Sequence, residues 1–152
     1  MNIKIFTDGS AKGNPGPGGY GVFMRFGNHE KEFSEGFRLT TNNRMELLAV
    51  IKGLESLKTT KYPIEVFTDS KYVADAITKK WVHSWQLKKY KGKKNKDLWE
   101  RYLTAAAPYN ITVHWIKGHN GHPENERCDR LAVGAASNPH LIDVEYEKES
   151  AL

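Results

Sequence analysis

Cysteine is almost absent: Cys128 stands alone among 152 residues. One thiol rules out an intrachain disulfide and suits a reducing cytoplasm. No apolar run approaches the length that spans a bilayer. The opening Met1-Asn2-Ile3-Lys4-Ile5-Phe6 lacks the layout of a signal peptide and reads as a strand that begins at once. A cytoplasmic protein is therefore expected. A basic helix with a bulky apolar face is also missing, which argues against a membrane surface as partner. The length suits one core and leaves little room for a second.

What is present is positive charge, unevenly spread. The net charge is +5 with a pI near 9.2. The last fifteen residues hold Asp143, Glu145, Glu147 and Glu149 against Lys148, so the tail carries −3 and the body +8. A basic body with an acidic end favours nucleic acid as the polyanionic partner. Residues 79–102 concentrate the lysines and interleave them with Trp81, Trp85, Tyr90 and Trp99, with no acid before Asp97. Such a stretch can track phosphates and pack rings against sugars. Trp99 and Tyr102 fit the core side of a helix over 97–106, with the lysines outward.

The periodicity predicts β-β-β-α-β-α-α-β-α. Residues 3–8 alternate as a strand, a Gly/Pro-rich loop follows, and strand-like runs near 20–26 and 30–38 flank Gly27-Asn28 as a hairpin. From Thr41 the period becomes helical through Leu47, Val50, Ile51, Leu54 and Leu57, with Thr41, Asn42 or Asn43 as cap. A strand over 64–69, helices over 70–85 and 97–106, a strand over 111–116 and a helix over 124–136 complete the order. The first and fourth strands, joined through a helix, should be parallel neighbours. This is an α/β fold: a mixed sheet with helices packed on its faces. The catalytic domain is expected over 1–137, with 138–152 a flexible acidic tail.

One internal similarity carries chemistry. Ile5-Phe6-Thr7-Asp8-Gly9-Ser10 and Val66-Phe67-Thr68-Asp69-Ser70 share a pattern of apolar, Phe, Thr, Asp, small. In matched parallel register the two aspartates sit side by side, about 4.8 Å apart, near the carboxyl ends of their strands. Two anions so close raise a pKa or draw in a cation, and a hard divalent ion prefers oxygen ligands. Either Asp alone would be an ordinary turn residue; the pair in matching context points to a cation. Glu46 borders the apolar face of its helix one turn before Val50, and Asp129 lies beside Cys128 on the margin of another buried stripe.

The segments FTDGSAKGNPGPGGYG, TTNNRMELLAV, VFTDSKYV and KGHNGHPENERCDRLA, in this order and spacing, resemble bacterial type I ribonuclease H from Ile5 to about Pro139. The resemblance implies a ribonuclease H-like fold with a mixed five-stranded sheet. It implies that Asp8, Glu46, Asp69 and Asp129 are catalytic carboxylates binding two Mg²⁺ ions, with Mn²⁺ as a substitute. The implied activity is endonucleolytic hydrolysis of the RNA strand of RNA–DNA hybrids, leaving 5′-phosphate and 3′-hydroxyl ends. His119 matches a position that assists proton transfer or product release.

The resemblance also assigns substrate contacts. Asn14, Asn42 and Asn43 match residues that meet the hybrid through its minor groove and backbone, and Thr41 matches part of a DNA-phosphate pocket. Residues 81–96 match the basic handle that grips DNA, so Trp81, Trp85, Lys88 and Lys89 are expected at the substrate. The stretch between Trp85 and Asp97 is shorter than in long-handled enterobacterial members. Lys71 stands where many relatives carry Gln, replacing a hydrogen bond with a charge. A monomer suffices for all of this.

Three other readings compete. A hybrid-binding module that has lost catalysis would lack one of the four carboxylates, and all four are present. A transposase-like or junction-resolving nuclease on the same fold is disfavoured by the lysine handle and the HNGHPENERCD segment. Zinc held by His119, His122 and Cys128 is disfavoured by the single thiol and irregular spacing, leaving His122 as loop support.

Overall fold

The structure is a computed structural model, and it describes residues 1–118 and 121–151. Its strands are β1 (Ile3–Ala11), β2 (Gly16–Phe26), β3 (His29–Thr40), β4 (Ile64–Thr68) and β5 (Ile111–Trp115). Its helices are α1 (Asn42–Glu55), α2 (Lys71–Thr78), α3 (Trp81–Leu87), α4 (Lys96–Ala106), α5 (Pro123–Ser137) and α6 (Val144–Ser150).

The sheet runs β3-β2-β1-β4-β5. β1, β2 and β3 form the antiparallel meander, and β4 pairs parallel with both β1 and β5. This is the mixed five-stranded sheet anticipated above, with the Gly27-Asn28 turn joining β2 to β3. Alternation sorts its faces. Ile3, Ile5, Val22, Ile64 and Val66 join Leu47, Val50, Ile51 and Leu54 of α1 in the main core. On the other face Phe23, Phe6, Phe67 and His114 stack in a row across four strands.

α5 covers part of that second face by riding very close to it. A Cβ on Gly21 would lie 2.3 Å from the Cys128 carbonyl oxygen, and one on Gly36 would lie 2.0 Å from that of Ala135. Any side chain there would lift the helix off the sheet. Among the described residues no helix is long and apolar enough to cross a membrane.

Two expectations are corrected. The helix expected over 70–85 is two helices, broken where Lys80 adopts a left-handed φ of 58°. The turn lets Val82 bury and brings Trp85 edge-on to Trp99. No Gly or Pro marks the break.

The tail, expected to be flexible, is docked. Leu141 bridges Phe37 and exchanges backbone hydrogen bonds with Gly36 and Arg38. Asp143 caps α6, accepts from Thr40 and from the buried Arg44 guanidinium, and Glu147 binds Arg38. Asp143, from a run that resembles a solvated tail, thus adds a second counter-charge to the buried Arg44, and Glu147 pairs with the exposed Arg38.

Candidate active site

β1 and β4 pair Ile5 with Val66, Phe6 with Phe67 and Thr7 with Thr68, the register that the repeated motif predicts. Asp8 and Asp69 therefore leave adjacent parallel strands at the same level. Glu46 reaches them from α1, and one oxygen from each of Asp8, Glu46 and Asp69 lies within 4.8 Å of the others. Asp8 and Glu46 are buried, and Asp69 is partly exposed.

Gly9 holds the corner together. Its N–H points at both Asp8 Oδ1 (2.9 Å) and Glu46 Oε1 (2.6 Å). A Cβ at this position would lie 2.3 Å from the Glu46 nitrogen, so only glycine lets β1 meet α1 closely enough. Sequence reasoning missed Gly9. The available signal was the difference inside the repeat, where Ser70 stands in the equivalent place.

The cluster is electrostatically frustrated. Burial, then the charge of Asp69, pushes the Asp8 carboxyl up to about 8, with Asp129 adding to the rise. Burial, then Asp8 and Asp69, holds Glu46 well above the ordinary carboxylate range. The Asp8–Glu46 pair thus favours retaining a proton that a cation could replace. Among the described residues, Asp69 Oδ1 is buried without a hydrogen-bond partner. An all-oxygen donor set with an orphaned carboxylate oxygen and like-charge crowding fits a hard divalent cation.

Asp129 is half-buried on α5, one residue after the Cys128 carbonyl that abuts Gly21, the register partner of Asp8. That crossing sets Asp129 at the edge of the three-carboxylate cluster, near enough for its charge to act on Asp8. His119 lies outside the described residues. His122 is exposed at the start of α5, whereas Cys128 is fully buried, and burial followed by the Asp8 charge raises its thiol pKa.

The expected substrate residues fall into three groups. Asn14 Oδ1 accepts from the Asn42 N–H at 3.1 Å, and Thr41 caps α1 through the Arg44 N–H, so Asn14, Thr41, Asn42 and Asn43 share one rim. Lys71, exposed, opens α2 two residues after Asp69. Trp81, Trp85, Lys88 and Lys89 lie on or next to α3. There Lys79 sits over Trp81 and Lys93 over Trp85, leaving Trp81 43% exposed. The indoles are thus carriers for lysines as well as packing groups.

A mixed sheet with acidic side chains converging where two parallel strands end defines a class of hydrolase-like α/β proteins with a candidate cation site. The comparisons make the class particular. A family model described as RNase H matches residues 1–137. A ribonuclease H of Erwinia tasmaniensis is 54% identical over 153 aligned residues, covering 97% of each chain. Among solved structures, LC9-RNase H1, a type 1 RNase H with the type 2 active-site motif, superposes with a TM-score of 0.81 at 32% identity, covering 99% of this chain and 81% of that one. LC11-RNase H1 in complex with RNA/DNA hybrid superposes at 0.69 with 25% identity, covering 89% and 96%. The chain belongs to the ribonuclease H family and is a ribonuclease H enzyme.

Proposed function

We propose that the protein is an endonuclease that hydrolyses the RNA strand of RNA–DNA hybrids, with divalent metal held by Asp8, Glu46, Asp69 and Asp129. The observation that carries the reading is the matched β1–β4 register that gathers three carboxylates and, among the described residues, leaves Asp69 Oδ1 unpartnered. The hybrid bound by LC11-RNase H1 supports the substrate class.

Two Mg²⁺ ions, or Mn²⁺ in their place, would supply water activation and charge neutralisation at phosphorus and at the departing 3′ oxygen. The chain's own residues prepare the site for that chemistry. The Gly9 N–H fixes Asp8 and Glu46 in one orientation. Water adds to phosphorus and the bond to the 3′ oxygen breaks, so the products carry a 5′ phosphate and a 3′ hydroxyl. His119 carries a proton or eases product release.

Asn14, Thr41, Asn42 and Asn43 meet the hybrid across its minor groove and backbone, where amides can both donate and accept. Lys71 adds a charge contact beside Asp69. Trp81, Trp85, Lys88 and Lys89 hold the DNA strand from the handle. The protein works as a monomer in the cytoplasm.

The deciding experiment incubates the protein with labelled RNA–DNA, RNA–RNA and DNA–DNA duplexes, in Mg²⁺ and in chelator. Cutting of RNA–DNA alone, abolished by chelator, is expected; cutting without metal, or of all three duplexes, would reject the reading. Replacing Lys88, Lys89, Lys91, Lys93 and Lys94 with Ala should weaken binding and flatten its salt dependence, by about 0.9 in log–log slope per lost phosphate contact.

A further inference from the structure

The last strand ends on an anomaly. β5 is an edge strand, and its final residue, Trp115, leaves a large apolar ring 46% exposed. The ring is nevertheless held in place. Its indole N–H donates to the Asp69 carbonyl oxygen at 3.1 Å, and Trp115 is the register partner of Thr68. Ile116 continues the attachment by donating its N–H to the Thr68 carbonyl at 2.9 Å. Three residues past the indole, a Cβ on Gly118 would lie 2.8 Å from Asp69 Oδ2, so this exit from β5 forms a wall of the carboxylate site. Lys71 Nζ lies 5.3 Å from the centre of the Trp115 ring.

We propose that Trp115 is a substrate-positioning residue: its fixed ring holds the Lys71 ammonium beside the carboxylates, and the two together engage one sugar–phosphate unit of the hybrid. The inference deepens the hybrid-cleaving reading and rests on it. A free lysine side chain samples many rotamers, whereas an ammonium attracted to an aromatic face is confined to a small volume. A ring that offers exposed surface while its N–H is already engaged is suited to packing a sugar or base. Mere strand formation needs no indole here, since an edge position accepts any β-former.

The test measures steady-state cleavage of a labelled RNA–DNA hybrid in Mg²⁺ by the full chain and by Trp115→Thr, Trp115→Phe, Lys71→Gln and the Trp115→Thr/Lys71→Gln double variant. Trp115→Thr keeps a β-branched residue at the edge, and thermal midpoints check each fold. Trp115→Thr should raise KM roughly 5- to 10-fold, near the low end for loss of one stacked base, with kcat changed less than about 2-fold; Trp115→Phe should recover most of the affinity. Lys71→Gln should lower the salt slope by about 0.9, and its KM cost should shrink when Trp115 is already replaced.

Unchanged KM in folded Trp115→Thr, a loss confined to kcat, or fully additive KM effects in the double variant would overturn the proposal. If Trp115→Thr does not fold, Trp115→Phe compared with the Trp115→Phe/Lys71→Gln double variant decides it: a Phe background in which Lys71→Gln no longer changes the salt slope opposes the ring's holding role, and one in which it still does supports that role. A wild-type chain that does not cut hybrid defeats the proposed function instead, which keeps the two failures apart.

Discussion

Two buried clusters of charge meet on α1, and their chemistry is opposite. Arg44 and Glu46 are both buried on the same helix, but two residues apart they project about 200° from one another. Arg44 is surrounded by acceptors: Asp97 takes bonds at 2.9 and 2.7 Å, Asp143 at 2.7 and 2.9 Å, and Asn95 at 3.3 Å. Burial opposes its charge, yet the hydrogen bonds it donates to Asp97 and Asp143 overcome that and raise its pKa. Asp97 responds in kind: burial alone would raise its carboxyl, and Arg44 holds it below the ordinary range. Glu46 instead faces two other acids.

The contrast separates structural charge from chemical charge. Around Arg44 opposite charges satisfy one another and join α1, α4 and the C-terminal segment. Around Glu46 like charges are forced together, and Asp69 Oδ1 has no hydrogen-bond partner among the described residues. Frustration of this kind persists only where the surrounding fold over-determines it, and it marks the place where a ligand completes the structure.

The largest effect should come from Asp8→Asn. Cleavage of labelled hybrid should fall to background while hybrid binding, read by gel shift, persists. The same variant should melt at a higher temperature than wild type in chelator at pH 8. The sign follows from the raised pKa: an acid that titrates near 8 in the fold and near 4 when unfolded loses stability as pH rises between those values. An equal or lower midpoint would show that the carboxylates are not repelling.

Arg44→Leu should be the most destabilising single change of the pair of clusters, by about 3–5 kcal/mol, because it strands Asp143 and Asp97. Urea unfolding measures it; a loss under about 1 kcal/mol would make the network ornamental.

Asp97→Asn is a smaller, pH-dependent test. A carboxyl held below its unfolded pKa contributes stability above that pKa and loses it as pH falls through the folded value. The wild-type advantage over Asp97→Asn should therefore be present at pH 7 and shrink at pH 3. An advantage independent of pH would mean that geometry, not charge, holds Asp97 to Arg44.

The two clusters also differ in how well the sequence discloses them. Asp8 and Asp69 announce themselves because each follows Phe-Thr on a strand, and a period of two turns a repeated motif into a predicted juxtaposition. Glu46 and Asp129 were identifiable only as edges of buried stripes; joining them to the site took the family resemblance, since neither the helix–sheet approach at Gly9 nor that at Gly21 is encoded in periodicity. The Arg44 cluster was invisible. Its acids lie 53 and 99 residues away, and those of the tail have the composition of a solvated run. The break at Lys80 was also hidden, because a lysine in left-handed conformation is imposed by the packing of Val82 and Trp85.

The 99-residue separation of Arg44 from Asp143 has a consequence for biosynthesis. At about 5–20 residues per second, the ribosome adds Arg44 roughly 5–20 s before the aspartate that completes its coordination. A nascent chain halted before Asp143 would retain a guanidinium short of acceptors where the finished protein is dry. The network that ties α1 to α4 is therefore closed late in synthesis, by a segment far along the chain from the helix it secures.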